Sequence, residues 1–183
     1  MLSSLARSFL LIAVAAIPAA LAKPEQIRAV QSPIFHYYLQ AYPEDPTIPV
    51  MGPETSSEYF NIGGWIQSMN TSLFLNIGND QTSYKTLTFA EATVTDAWAL
   101  EVPCYPLDAH IAYLGCFCNI ADYGNEQGDT IITSQGSNYG RQLNFLVCKL
   151  TGDYWQVYLQ MGSETPAGRT CSNYQSLHLP CLC

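Results

Sequence analysis

Positive charge is scarce in this chain: seven Lys and Arg stand against fifteen Asp and Glu, a formal net charge of −8 over 183 residues. A surface so poor in cations cannot neutralise rows of phosphates, which excludes nucleic acid and anionic membrane as partners. Histidine is nearly as scarce, at three residues. No G-x-S-x-G elbow or Cys/His signature accompanies His36 or His178, and both are expected as ordinary strand residues. P-loop, dinucleotide fingerprint and H-E-x-x-H are missing too. Carboxylates at Glu54, Glu58, Asp153 and Glu164 fall in turns and loops, where nothing pairs them for glycosidase chemistry. No catalytic residue, metal site or cofactor is assigned, and the chain is read as a non-enzyme. Helical periodicity is lacking as well, since no amphipathic segment of period 3.6 exceeds two turns.

What is present begins with an address. Arg7 precedes the apolar run "FLLIAVAAIPAALA", which ends at Lys23-Pro24. Ala20-Leu21-Ala22 supplies the small-x-small pattern of signal peptidase, and Pro18 together with the short length argues against a membrane anchor. Residues 1–22 are therefore expected to be a cleaved signal peptide, and no later run reaches membrane length. The mature chain, expected outside the cell, keeps six basic and fifteen acidic side chains and a net charge of −9. Nearly half of the residues are apolar, enough for one domain with a real core.

Short alternating segments fill the rest. "IFHYYLQ" (34–40) reads as an aromatic strand, and the proline-rich stretch to Glu58 reads as a loop with a short edge strand at "TIPVM". "YFNI", "WIQS", "LFLNI" and "YKTLTF" follow, separated by Gly63-Gly64, Met69-Asn70-Thr71-Ser72 and Gly78-Asn79-Asp80, which is hairpin spacing. The same order recurs in Trp98-Ala99-Leu100, Ile132-Thr133-Ser134, Leu143 to Cys148 and Tyr154 to Leu159. A repeated four-strand unit points to an all-β, single-domain closed barrel over residues 23–183. A β-trefoil-like form, its third unit made by the two ends of the chain, is favoured slightly over a β-sandwich.

The second unit is interrupted. Leu100-Glu101 would run into Gly128-Asp129-Thr130 as a tight hairpin were it not for Val102 to Gln127, 26 residues or 78 nucleotides. Valine codons begin with GT, Gln127 as CAG would end in AG, and Ala121-Asp122 can be encoded GCTGAC, containing a branch-site form. The codon pair Val102-Pro103 gives GTNCCN, not the favoured donor continuation. Residues 102–127 are accordingly suspected to be a retained intron, the alternative being a genuine, disordered insertion. The chain has seven cysteines, an awkward number outside the cell, and three of them (Cys104, Cys116 and Cys118) lie in this segment. A metal site using them with His110 has no recognised zinc spacing. Cys148, Cys171, Cys181 and Cys183 remain as an even set for two disulfides. Cys181 and Cys183 are too close to pair with each other, so each is expected to bond to Cys148 or Cys171.

Two features bear on binding. Trp65, Tyr84 and Trp155, at or beside strand ends, are candidate rings for stacking on sugars, although most aromatics in a small β domain build its core. Asn70-Thr71-Ser72 is an N-glycosylation sequon between two predicted strands, so Asn70 is the expected glycan site.

The segment "NFLVCKLTGDYWQVYLQMGSETPAGRTCSNY" resembles the phialide cell-wall (phiA-type) proteins of filamentous fungi and related secreted IgE-binding-like antigenic cell-wall proteins. The shared pattern is Phe145-x-x-Cys148, Trp155-Gln156-Val157-Tyr158, Pro166-x-Gly168 and Cys171, and "IRAVQSPIFH" is similar to the family's opening. The early cysteine pair of that family is absent. The resemblance implies a secreted, non-catalytic cell-wall or surface protein linked to the development of spore-forming structures, with cell-wall polysaccharide or a wall protein as partner. It also implies a Cys148–Cys171 disulfide. A lectin-like carbohydrate binder is the second reading, and a small secreted hydrolase a weak third.

Overall fold

The computed structural model describes residues 25–101 and 127–180. The expected signal peptide (residues 1–22), residues 102–126 with their three cysteines, and Cys181 and Cys183 lie outside the described residues.

The fold is all-β. Thirteen strands run through the described residues: β1 (Arg28–Ala29), β2 (Tyr38–Tyr42), β3 (Asp45–Gly52), β4 (Phe60–Ile62), β5 (Ile66–Ser68), β6 (Phe74–Ile77), β7 (Tyr84–Ala90), β8 (Trp98–Glu101), β9 (Gln127–Thr133), β10 (Phe145–Lys149), β11 (Trp155–Gln160), β12 (Cys171–Gln175) and β13 (Leu177–Pro180). A single 3-10 turn at Glu54–Ser56 is the helical content among them. Eleven strands follow one antiparallel path, β4-β5-β6-β7-β11-β3-β2-β1-β13-β9-β8, while β10 pairs with β11 and β12.

The ends of that path approach each other. The Trp98 amide at the start of β8 donates to the Gly64 carbonyl in the β4–β5 loop (3.1 Å), and Glu25 forms a two-way bridge with Phe60 (2.9 and 2.8 Å). The sheet is thereby nearly closed into a barrel, which leaves little free edge for unwanted pairing. The Asp96 carboxylate lies over Gly64, where a Cβ would displace it.

Alternation sorts the side chains. Phe60, Ile66, Leu75, Ile77, Leu87, Phe89, Trp98, Ile131, Phe145, Val147, Val157 and Leu159 point inward as one continuous core. Phe60 stacks on Phe89 (6.2 Å between centroids) and Trp98 on Phe145 (6.4 Å). The Trp98 indole N–H donates to the Leu75 carbonyl (2.9 Å), so this large ring is buried without an unsatisfied donor. On the opposite face of β10 and β11, Leu146, Cys148 and Tyr158 form a small second cluster with Tyr84 and Cys171.

The strands foreseen in both repeated stretches are present; β4–β7 form one continuous meander, whereas β8–β9 and β10–β11 are separate hairpins, because β9 pairs with β13 and not with β10. The ends of the chain also meet, because β1 pairs with both β2 and β13. Three expectations are corrected. The proline-rich stretch does hold a strand at "TIPVM", but it is neither short nor at an edge: β3 is eight residues long and lies inside the sheet, between β2 and β11. Pro46 and Pro49 are tolerated because β11 pairs with β3 only at Val50 and Met51, so the missing N–H groups break no ladder on that side. "IFHYYLQ" is a strand only from Tyr38, and His36 occupies a turn with φ of 62°, so it is no strand histidine. Finally, Cys148 bonds to Cys171, across the register of β10 and β12, and neither is left for Cys181 or Cys183.

Candidate functional site

The hairpin β4–β5 gathers exposed aromatic and amide groups on one face. Its register pairs Phe60 with Ser68, Asn61 with Gln67 and Ile62 with Ile66. Phe60, Ile66 and Ser68 are buried, so alternation sends Tyr59, Asn61, Trp65, Gln67 and Met69 outward. Tyr59, Met69 and Trp65 are 50 %, 49 % and 47 % exposed, high for side chains of this size. The Met69 amide donates to the Tyr59 carbonyl (2.8 Å) and the Gly63 amide to the Trp65 carbonyl (2.8 Å), which holds both ends of the ladder in register. Tyr59 and Trp65 thus stand at opposite ends, about 13 Å apart at ~3.3 Å of rise per residue. Asn61 and Gln67 lie between them.

The amides are oriented. The Asn61 side-chain N–H donates to the Met69 sulfur (2.9 Å), and the Gln67 side-chain N–H donates to the Ser72 carbonyl (3.0 Å). A side-chain oxygen on each remains an acceptor, and each amide has a second N–H. Two flat rings flanking paired amides suit a chain of sugar units, whose faces stack on rings while hydroxyls bond to amides.

Beneath the ladder, buried Glu58 fixes the hairpin to the barrel. One of its carboxylate oxygens accepts from the Ala41 amide of β2 (2.7 Å), the other from the Ser68 hydroxyl. The Ser68 oxygen in turn accepts from the amides of Asn70 and Thr71 (3.2 and 3.1 Å), shaping the turn that carries the sequon. Asn70 is exposed there, at the border of the ladder.

The other proposed rings are placed differently. Trp155 is 8 % exposed and belongs to the core, with the Lys149 ammonium 5.2 Å from its ring centroid. Tyr84 meets Tyr158 edge to face at 5.5 Å and packs on the small outer cluster. Burial pushes the Tyr158 phenol up, Arg169 offsetting part of that. Arg169 reaches the Tyr158 hydroxyl (2.7 Å), Gln156 (2.8 Å) and the carbonyls of Cys148 (3.4 Å) and Lys149 (3.3 Å). The structure therefore separates Trp65 from Tyr84 and Trp155 and joins it to Tyr59, Asn61, Gln67 and Met69, which sequence reasoning passed over. Their signal was the x-polar-x alternation on both sides of Gly63-Gly64.

A second opening lies elsewhere, a cleft of about 250 Å³ lined by Tyr42, Pro43, Glu44, Thr151, Gly152 and Tyr154. The Tyr42 hydroxyl bonds to that of Thr151 (2.6 Å), and the Tyr42 and Tyr154 rings meet edge to face at 5.5 Å. Its ring faces are spent on each other. Among the described residues no three His, Cys, Asp or Glu side chains converge in a metal-binding group, and no helix is long and apolar enough to cross a membrane. No protein-family model matches the chain, and neither a curated protein nor a solved structure is significantly similar to it.

Proposed function

We propose that this is a secreted, non-catalytic protein of the fungal cell wall, linked to the development of spore-forming structures, which holds wall polysaccharide on the outward ladder of hairpin β4–β5. The observation that carries the binding role is the row of Tyr59, Asn61, Trp65 and Gln67: large rings half in water, separated by amides, on a hairpin pinned from below by Glu58. Large rings this exposed and clustered suit an interaction surface, and the amides favour a hydroxyl-rich ligand over a greasy one. The signal sequence and the resemblance of the C-terminal third to phialide cell-wall proteins support the wall location. The acidic net charge agrees with a neutral polymer as partner.

The test is co-sedimentation with insoluble chitin and β-glucan. The unaltered protein is expected to bind one of them saturably. Trp65→Ala is expected to weaken binding about tenfold, the loss of one aromatic contact of about 1.4 kcal/mol. Val94→Ala, at an exposed position off the ladder, should bind normally. Equal binding by both variants refutes the assignment of the face. Turnover of either polysaccharide by the purified protein refutes the non-catalytic reading.

A further inference from the structure

We infer that the working form of this protein lacks residues 102–127, with Glu101 joined directly to Gly128, and that the missing codons are an intron. The inference rests on the strands that flank the segment. β8 and β9 pair as Trp98 with Thr133, Ala99 with Ile132, Leu100 with Ile131 and Glu101 with Thr130, an unbroken register. Removal of 102–127 leaves Gly128 and Asp129 between the members of the last pair. The hairpin would then close over a two-residue loop with every one of the four pairs intact. Moving either boundary by one residue would leave one or three residues in the loop.

The two residues that remain have the chemistry such a loop demands. Two-residue hairpin loops take type I′ or II′ turns, and II′ places glycine first, with Asp among the common second residues. Gly128 is first and Asp129 second. The turn asks Gly128 for a positive φ, which glycine alone adopts freely. The long form has its own use for this glycine, because a Cβ would lie 2.6 Å from the Leu179 carbonyl of β13. One strand pair is forfeited by the excision, Gln127 with Pro180.

The internal repeat gives an independent measure. Phe60 pairs with Ser68 and Trp98 pairs with Thr133, yet Phe60 and Trp98 are 38 positions apart whereas Ser68 and Thr133 are 65 apart. Taking out the 26 residues from Val102 to Gln127 brings the second interval to 39, within one residue of the first. The β4–β5 hairpin of the first unit is itself closed by a short glycine loop at Gly63-Gly64. Excision also lowers the cysteine count from seven to four.

The secreted protein itself decides the matter. Trypsin has no Lys or Arg to cut between Lys85 and Arg141, so residues 86–141 leave as one peptide. Mass spectrometry is expected to find that peptide 26 residues short, with Glu101 followed by Gly128, and cDNA across these codons should lack the 78 nucleotides. A secreted pool in which the full-length peptide predominates overturns the inference, whatever the cDNA shows. Expression of both chains gives a second reading that does not depend on the transcript. The shortened chain is expected to unfold cooperatively at or above the midpoint of the long one, and Gly128→Val should lower the midpoint of the shortened chain. A long chain that folds while the shortened chain does not overturns the inference.

Discussion

Removing the Cys148–Cys171 bridge by the double substitution Cys148→Ala/Cys171→Ala should destabilise the protein in a graded and local way. The bond closes a loop of sequence separation 23, and the chain-entropy relation gives about 3.4 kcal/mol for a loop of that length. For a domain of this size each kcal/mol is worth about 2–4 °C, so the thermal midpoint should fall by about 7–14 °C. The loss should not spread evenly. β12 is attached to the sheet only through β10, and its ladder is irregular between Phe145 and Val147. Without the bond, β12 is held by the β10 ladder and a few side-chain hydrogen bonds, and its amides should lose protection relative to the parent while those of β6, β7 and β11 keep theirs. Thermal unfolding and hydrogen exchange of the two proteins give both readings. A midpoint within about 2 °C of the parent, or loss of protection that begins in β6 and β7, would refute the account of the bond as an entropic tie on β12.

Glu58→Ala strips the acceptor from the Ala41 amide and the Ser68 hydroxyl, both inside the structure; a loss of about 2–4 kcal/mol is expected by denaturant titration, and a change below about 0.5 would show that water replaces the carboxylate. His178 is held below its usual pKa of 6.5 chiefly by burial, with the Gly128 carbonyl pulling it up and Arg28 pushing it down. Its neutral form is the one that suits the fold, so its contribution to stability is complete above pH 6.5 and is lost as pH falls through the lower folded value. Stability curves for the parent and His178→Gln should therefore converge on acidification, and parallel curves from pH 7 to 5 would contradict this sign.

Strand existence was legible because alternation in this chain is strong: the β4–β5 and β6–β7 hairpins follow directly from "YFNIGGWIQS" and "LFLNI…YKTLTF". The errors have one physical origin, namely that local residue preference was overruled by position in the sheet. Proline argues for a loop until one knows that the neighbour of β3 stops at Val50, and no local pattern carries that information. His36 sits in a run of aromatics that alternates like a strand, yet its backbone turns because its amide is taken by the Ala29 carbonyl (3.1 Å). The candidate face was half legible. Trp65 stood out as a large ring beside a glycine turn, whereas Trp155 looked equivalent and differs only in facing the core, which depends on how β11 meets β3 and β7. Tyr59 and Met69 are marked by no motif and become neighbours only through register.

Arg28 and His178 are 150 positions apart, yet β1 is two residues long and borrows its place from β13. Such a seam cannot be sewn while the chain is still being made: β1 must wait, without its β13 partner, until the last of the described strands has emerged. The nascent chain therefore holds an unfilled place beside β1 and has a strongly non-local folding step ahead of it, the situation in which aggregation and chaperone capture decide yield. Changes in β13 should consequently be felt as losses of folded yield before they are felt as failures of binding.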